Sequence, residues 1–155
     1  MATERHLRSV PPLADTMTLV DSSVLIDVLT QDRVWAGWSE QALADARDRG
    51  RLVINPIVYA EVSTGFVSVE DLDAAVSAED FAREPLPYPA GFLAGRAFLS
   101  YRRRGGQKRS PLPDFYIGAH AAVRRYRLLT RDDGRCVAYF PTVEVISPRS
   151  GPAPA

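Results

Sequence analysis

The chain has 155 residues and is poor in the side chains that form disulfides or bind soft metal ions, with one cysteine and two histidines. The single cysteine, Cys136, excludes an intramolecular disulfide and is typical of a reducing compartment. No run of about 18 apolar residues occurs, so the sequence predicts no membrane-spanning helix. The first residues lack an apolar signal core, and we therefore expect a cytoplasmic protein.

The composition, 46% hydrophobic and 25% charged, is typical of one soluble globular domain with a substantial core. The formal net charge is zero, so any contact with a polyanion must come from a local patch. One such patch, here called the basic segment, comprises Arg102, Arg103, Arg104, Lys108 and Arg109. A solvated surface is the ordinary interpretation of such a run, and a contact with a phosphate backbone is the functional one.

The sequence divides into three parts. Residues 1–16 are polar and aperiodic, so we predict a disordered arm, or upstream sequence included through a mis-assigned start codon. Residues 147–155 form a tail rich in proline, serine and alanine that we also predict to be disordered. In residues 17–146 strand and helix signals alternate. This alternation predicts an α/β fold, a three-layer αβα sandwich around a mostly parallel sheet.

Individual elements follow from local patterns. Strands are predicted at residues 17–20, 52–54, 127–130 and 142–146. A further strand at residues 81–86 is confined to an edge of the sheet because Pro85 and Pro87 cannot donate backbone hydrogen bonds. Helices are predicted from Ser22 or Ser23 to residue 29, and at residues 33–49, 56–65, 69–77, 89–104 and 114–125.

Acidic residues recur where apolar strands end and in the amphipathic stretches, at Asp21, Glu61, Asp114 and Asp132. A carboxylate at the end of a parallel strand lies at the edge of the sheet where α/β folds bind ligands. Several carboxylates gathered there would repel one another unless a cation neutralised them. Oxygen ligands favour hard ions, Mg²⁺ or Mn²⁺. Taken singly, each acid could equally be a helix cap, a turn residue or a solvated side chain.

Four motifs carry a resemblance to a known family. They are LVDSSVLID at residues 19–27, PIVYAE at 56–61, LPDFYIGAHA at 112–121 and LLTRD at 128–132. In this order and spacing they resemble the PIN-domain ribonucleases, and most of all the VapC-like toxins of type II toxin–antitoxin pairs. The resemblance covers about residues 17 to 146, the whole predicted folded domain.

The resemblance implies a Mg²⁺- or Mn²⁺-dependent endoribonuclease that hydrolyses RNA with a metal-activated water and leaves 5′-phosphate and 3′-hydroxyl ends. The four acids named above would bind the metal and act in catalysis. Ser23 and Thr130 would orient the carboxylates or the metal-bound water. Asp133 ranks behind Asp132, because the acid two residues after Thr130 matches the family pattern.

Two further residues within the motifs are expected to have supporting roles only. Asp27 lies a helical turn beyond Ser23 and is predicted to be a surface or helix-orienting residue. His120 is predicted to be a helix-face residue without a catalytic role.

The resemblance also implies partners. A small antitoxin would cover an apolar groove that could include Trp35 and Trp38, although core packing is the alternative for both. RNA would contact the basic segment, with Tyr101 and Tyr116 as candidates for base stacking or, equally, for packing. A homodimer is expected as well.

Two other functions compete with this interpretation. A phosphoaspartate protein of the receiver or haloacid-dehalogenase type requires an acidic pair near the first strand and a lysine after a later strand. The sequence instead places Ser22 and Ser23 after Asp21, and its only lysine, Lys108, lies in a predicted loop. The other possibility is a catalytically inactive binding module on the same fold, against which the four acids argue.

Overall fold

The computed structural model describes residues 17–109 and 111–149. The predicted N-terminal arm (1–16) and residues 150–155 of the predicted tail lie outside this part of the chain. The strands are β1 (Thr18–Val20), β2 (Leu52–Ile54), β3 (Phe81–Arg83), β4 (Arg127–Leu129) and β5 (Val145–Ile146). The helices are α1 (Ser22–Leu29), α2 (Ala36–Arg49), α3 (Pro56–Ser63), α4 (Val69–Ala75), α5 (Tyr88–Arg103), α6 (Pro113–Arg124) and α7 (Gly134–Tyr139).

The five strands form one parallel sheet in the order β3-β2-β1-β4-β5. The predicted α/β sandwich with a parallel sheet is confirmed. Strand β1 lies at the centre, with Leu19 beside Val53 of β2 and Leu128 of β4. The strand before Pro85 lies at the edge, as its prolines predicted. In a parallel sheet the ends of β1 and β4 meet at one edge, so the residues that follow these strands are neighbours in space.

The core consists of the strands and the inner faces of the helices. All three residues of β1 and all three of β2 are buried, which requires that both faces of the sheet are covered. Leu19, Val53 and Leu129 are fully inaccessible to solvent. Strands β1 and β2 thus form the buried centre of the sheet.

Several element boundaries differ from the predictions for local reasons. Helix α1 is capped by Asp21 itself, whose carboxylate accepts the N–H of Ser22, so neither serine is the cap. Helix α2 begins at Ala36 rather than at residue 33, because the Asp32 carboxylate accepts the N–H groups of Val34 and Trp35 in a preceding turn. Helix α7 was not predicted, since it has only six residues and begins at a glycine.

The C-terminal boundary is also informative. Ser147, predicted to begin the disordered tail, is buried and donates a 2.6 Å hydrogen bond to Asp133 Oδ2. The compact part of the chain therefore includes this residue. Among the described residues, no helix has the length and apolar character needed to cross a membrane.

Candidate active site

Asp21 is the best-held acidic side chain of the site. Its Oδ1 accepts the N–H of Ser22 at 2.9 Å, and its Oδ2 accepts the hydroxyls of Ser23 at 2.8 Å and Thr130 at 2.7 Å. Burial raises the pKa of Asp21, the two hydroxyls lower it, and the charge of Asp114 raises it again, with a net upward shift. The carboxylate is thus fixed in orientation, and no cationic side chain of the described residues forms an ion pair with it.

Glu61 lies on α3 and is tied to the segment that holds Asp21. The Ser22 hydroxyl donates to Glu61 Oε1 at 3.0 Å, so Ser22 contacts Asp21 through its backbone and Glu61 through its side chain. Burial raises the pKa of Glu61, the Ser22 hydroxyl lowers it, and the charges of Asp21 and Asp114 raise it. This role of Ser22 was not predicted, since its only expected role was a possible helix cap.

Asp114 lies in the first turn of α6, after a proline at the first helical position. Because its charge raises the pKa of both Asp21 and Glu61, the three carboxylates share one electrostatic environment. Asp114 Oδ2 accepts a 2.8 Å hydrogen bond from Arg135 Nη1, and both side chains are 41% exposed. The fold therefore gathers three acids from three separate segments, with one arginine beside them.

The fourth predicted acid, Asp132, contributes its backbone to this arrangement. Its N–H donates to the Thr130 hydroxyl at 3.1 Å, which in turn donates to Asp21. Its side chain is exposed, and within residues 17–109 and 111–149 no contact joins it to the other three carboxylates. A role for the Asp132 carboxylate stays a prediction.

Asp133, the second choice at this position, points elsewhere. It is buried, with Oδ2 bound to Ser147 at 2.6 Å and Oδ1 at 3.6 Å from Arg149 Nη1. These contacts attach α7 to the end of β5. Asp133 therefore has a structural role, in which it contacts Ser147 and Arg149.

Asp27 is not a surface residue, contrary to one of the alternatives above. It is 1% exposed and accepts the Ser39 hydroxyl at 2.9 Å and Arg131 Nε at 2.8 Å. The N–H of Arg131 donates to Ser23 Oγ at 3.1 Å, and its guanidinium lies over the Trp35 ring. Asp27 therefore orients the segment that follows β4. This agrees with the predicted orienting role, although the segment lies outside the helix that carries Asp27.

His120 is enclosed in a polar network away from these acids. It is fully buried, with Nδ1 3.0 Å from Asn55 Nδ2 and Nε2 3.1 Å from Glu84 Oε1. Burial lowers the pKa of His120 and the neighbouring Glu84 carboxylate raises it, with a net downward shift that favours the neutral imidazole. Asn55 caps α3 through the N–H of Val58. The network positions the helix that carries Glu61.

The chemistry of the donor set fits a hard divalent cation. Asp21, Glu61 and Asp114 supply carboxylate oxygens, which Mg²⁺ and Mn²⁺ prefer. The nearby Cys136 is a thiol, because burial and the carboxylates, Asp133 first, raise its pKa to about 12. In the described part of the chain no three acidic, histidine or cysteine side chains are already arranged around one ion position. Arg135 instead lies at Asp114.

The basic segment is exposed at all five positions. The Arg102 guanidinium donates to the Lys108 carbonyl at 2.8 Å, which closes the segment into a compact loop. Lys108 is thus exposed on this loop, and no described contact places it beside Asp21, as a phosphoaspartate mechanism would require. Tyr101 packs edge-on against Phe115, with ring centroids 5.6 Å apart, and Tyr116 is half-buried against the core.

Comparison with known proteins places this arrangement in a family. The model of the PIN domain matches residues 18–140. Among solved structures, VapBC2 from Rickettsia felis bound to a promoter DNA fragment is similar with a TM-score of 0.65 and 14% identity, over 84% of this chain and 98% of that chain. VapBC-1 from nontypeable Haemophilus influenzae gives 0.64 and 16%, over 84% and 97%. FitAcB from Neisseria gonorrhoeae gives 0.56 and 22%, over 85% and 98%.

A search of curated protein sequences found no match. The structural similarities, all at low identity, concern the fold. The family model covers most of the chain, including Asp21, Glu61, Asp114 and Asp132. The resemblance drawn from the motifs is confirmed, and the chain belongs to the PIN domain family.

Proposed function

We propose that this protein is a metal-dependent endoribonuclease and the toxin of a type II toxin–antitoxin pair. The observation that carries the proposal is the convergence of Asp21, Glu61 and Asp114 from three segments, where the pKa of Asp21 and of Glu61 is raised chiefly by burial and further by the charge of Asp114. PIN domains are nucleases as a family. Carboxylates with perturbed pKa values are typical of functional sites. A bound cation would offset the repulsion among the three carboxylates.

The proposed metal ligands are the three gathered acids, with Asp132 as a fourth. Mg²⁺ or Mn²⁺, when bound, would supply a water of lowered pKa and neutralise charge on the phosphate. The Ser23 and Thr130 hydroxyls favour the ionised form of Asp21 and offset part of the effect of burial, since both bonds stabilise the charged carboxylate. The products would carry 5′-phosphate and 3′-hydroxyl ends.

RNA is the proposed substrate, and the basic segment its proposed contact. The five cationic side chains are exposed at the end of α5 and in the loop that follows it, so they can reach a phosphate backbone. Base stacking is a weaker part of this proposal, because Tyr101 and Tyr116 are both engaged in packing.

A cognate antitoxin is the proposed protein partner. Several solved structures with this fold are named as VapBC or toxin–antitoxin complexes. On this chain, α1 and the segment after it expose Ile26, Leu29 and Val34, with Trp35 half-buried beside them. An apolar antitoxin segment would cover these side chains. For a homodimer we propose the face of α5 that exposes Tyr88, Phe92 and Leu99.

The experiment is cleavage of total RNA by the purified protein with Mg²⁺ or Mn²⁺, with EDTA, and after the substitution Asp21→Asn. Cleavage should require the metal and disappear in the variant. Asp45→Asn on the exposed face of α2 is the matched control and should cleave normally. Cleavage that survives Asp21→Asn would refute the assigned site.

A test in cells addresses the toxin role. Expression without a partner should arrest growth, and Asp114→Asn should relieve the arrest. Equal toxicity of the variant would argue against nuclease action as its cause. Formation of an acyl phosphate at Asp21 with a small phosphodonor would instead support the phosphoaspartate alternative.

A further inference from the structure

Arg135 lies beside the proposed metal ligands. Its Nη1 donates to Asp114 Oδ2 at 2.8 Å, and each side chain is 41% exposed. The residue is in the first turn of α7, whose place is fixed by Tyr139 packing edge-on against Phe115 at a centroid distance of 5.4 Å. The guanidinium is therefore held close to the acids by a packed helix while its tip remains in contact with solvent.

A purely structural role does not account for this pair. Ion pairs that are this exposed contribute little to stability. The two neighbouring arginines have different surroundings: Arg131 is bound to the buried Asp27, and Arg104 lies over the Tyr139 ring with no carboxylate partner among the described contacts. Of the cations in the described ranges, Arg135 alone forms an ion pair with one of the three gathered acids.

We propose that Arg135 exchanges partners during function. It binds Asp114 in the metal-free protein and binds a phosphate of the RNA when a divalent cation occupies Asp114. This inference rests on the proposed nuclease function and adds a substrate-binding residue to it.

The exchange follows from charge. Two cations bound to one carboxylate repel each other, and the repulsion is strong in a partly dehydrated site. A divalent ion at Asp114 therefore weakens the attraction of this carboxylate for Arg135 and allows the guanidinium to leave Oδ2. A displaced arginine next to a metal-bound phosphodiester finds an anion whose geometry matches its planar fork, and such charge-assisted pairs are among the strongest hydrogen bonds in proteins.

The first test measures metal binding without any reaction. Titration calorimetry with Mn²⁺ should show that Arg135→Gln binds the ion about threefold to tenfold more tightly than the wild-type protein, because a competing cation is gone. Arg104→Gln removes the same charge from the neighbouring surface and should change the affinity much less. Unchanged or weaker binding by Arg135→Gln would overturn the exchange.

The second test measures RNA binding. The assay is fluorescence anisotropy with a labelled RNA in Ca²⁺, which replaces Mg²⁺ at oxygen sites. Arg135→Gln should weaken RNA binding by about tenfold, and the slope of log affinity against log salt concentration should fall by about one. In EDTA the loss should be much smaller. For Arg104→Gln the loss should be equal in both buffers. A loss for Arg135→Gln that does not depend on Ca²⁺ would contradict the proposal.

Two controls separate the possible failures. Arg135→Lys retains the charge but not the fork, and should keep wild-type Mn²⁺ affinity while recovering only part of the RNA binding. Circular dichroism of each variant verifies the fold. Absence of RNA cleavage by the wild-type protein would refute the nuclease function, whereas unchanged Mn²⁺ affinity in Arg135→Gln would refute the exchange even if the wild type cleaves.

Discussion

The Thr130 hydroxyl at the end of β4 donates a 2.7 Å hydrogen bond to Asp21 Oδ2 at the end of β1. The two residues are far apart in sequence and adjacent in space, because β1 and β4 pair in parallel with Val20 beside Leu129. Thr130 also accepts the N–H of Asp132. One buried hydroxyl thus connects the strongest metal-ligand candidate to the segment that carries the fourth.

Replacement of this hydroxyl should weaken metal binding without disturbing the core. Thr130→Val keeps the shape of the side chain but removes a donor that lowers the pKa of Asp21. Loss of a group that orients a metal ligand typically costs about 10- to 100-fold in affinity or activity. We expect such a loss in Mn²⁺ affinity by calorimetry. Thr130→Ser keeps the hydroxyl and should lie close to wild type, and equal losses in both variants would exclude the hydroxyl as the cause.

Removal of the metal should destabilise the folded protein. A ligand that binds only the native state raises its stability by mass action. We expect saturating Mn²⁺ to raise the thermal unfolding midpoint and EDTA to reverse the increase, as followed by differential scanning fluorimetry. Asp21→Asn should abolish the response. Asp45→Asn should retain it, and a response that persists in Asp21→Asn would locate the ion elsewhere.

The hydrogen bonds that Glu84 accepts from His120 and Tyr126 should make the free energy of unfolding depend on pH in the acid range. Burial raises the pKa of Glu84, but the hydrogen bonds from Tyr126 and His120 and the charge of Arg124 outweigh it and lower the pKa below 4.5. The folded protein therefore binds fewer protons than the unfolded chain in this range. The resulting stabilisation is present above pH 4.5 and is lost as the pH falls through the lower, folded-state pKa.

Tyr126→Phe tests this dependence, because the tyrosine donates to Glu84 Oε2 at 2.6 Å. We expect a loss of about 1–2 kcal/mol in the free energy of unfolding at pH 7, measured with urea, and a smaller loss at pH 3. Tyr88→Phe, at a position that is 96% exposed, should have little effect at either pH. A loss that is the same at both pH values would mean that the Glu84 charge is not involved.

The central sheet and the acids at its strand ends were predictable because they depend on local signals. Short apolar strands separated by amphipathic helices indicate a parallel sheet, and parallel strands bring their ends to one edge. This reasoning placed Asp21 and Thr130 correctly at adjacent strand ends. It also predicted β3 as an edge strand from Pro85 and Pro87.

The features that were missed depend on contacts between distant segments. Asp132-Asp133-Gly134 is typical of a turn, and a six-residue helix after it has no periodicity to detect. Arg135 therefore could not be assigned to the acids, because only the packing of α7 brings it to Asp114. Asp27 was misjudged as a possible surface residue for the same reason: its partner Arg131 is distant in sequence.

The packing of α7 depends on a glycine in α6. A Cβ atom at Gly118 would lie 2.5 Å from Cδ2 of Phe140, the C-cap residue that follows α7 and is 3% exposed. Gly118→Ala must therefore displace this ring, and overpacking of this kind costs about 1–3 kcal/mol. Gly91→Ala is the matched control, since a Cβ on that residue of α5 meets no atom within 4 Å.

Urea unfolding should show a loss of stability for Gly118→Ala and a gain of about 0.5–1 kcal/mol for Gly91→Ala, because alanine favours a helix over glycine. If Phe140 positions α7, Gly118→Ala should also weaken the hold of Arg135 on Asp114, and its Mn²⁺ affinity should move toward that of Arg135→Gln. A destabilised Gly118→Ala protein with unchanged Mn²⁺ affinity would show that the place of Arg135 does not depend on this contact.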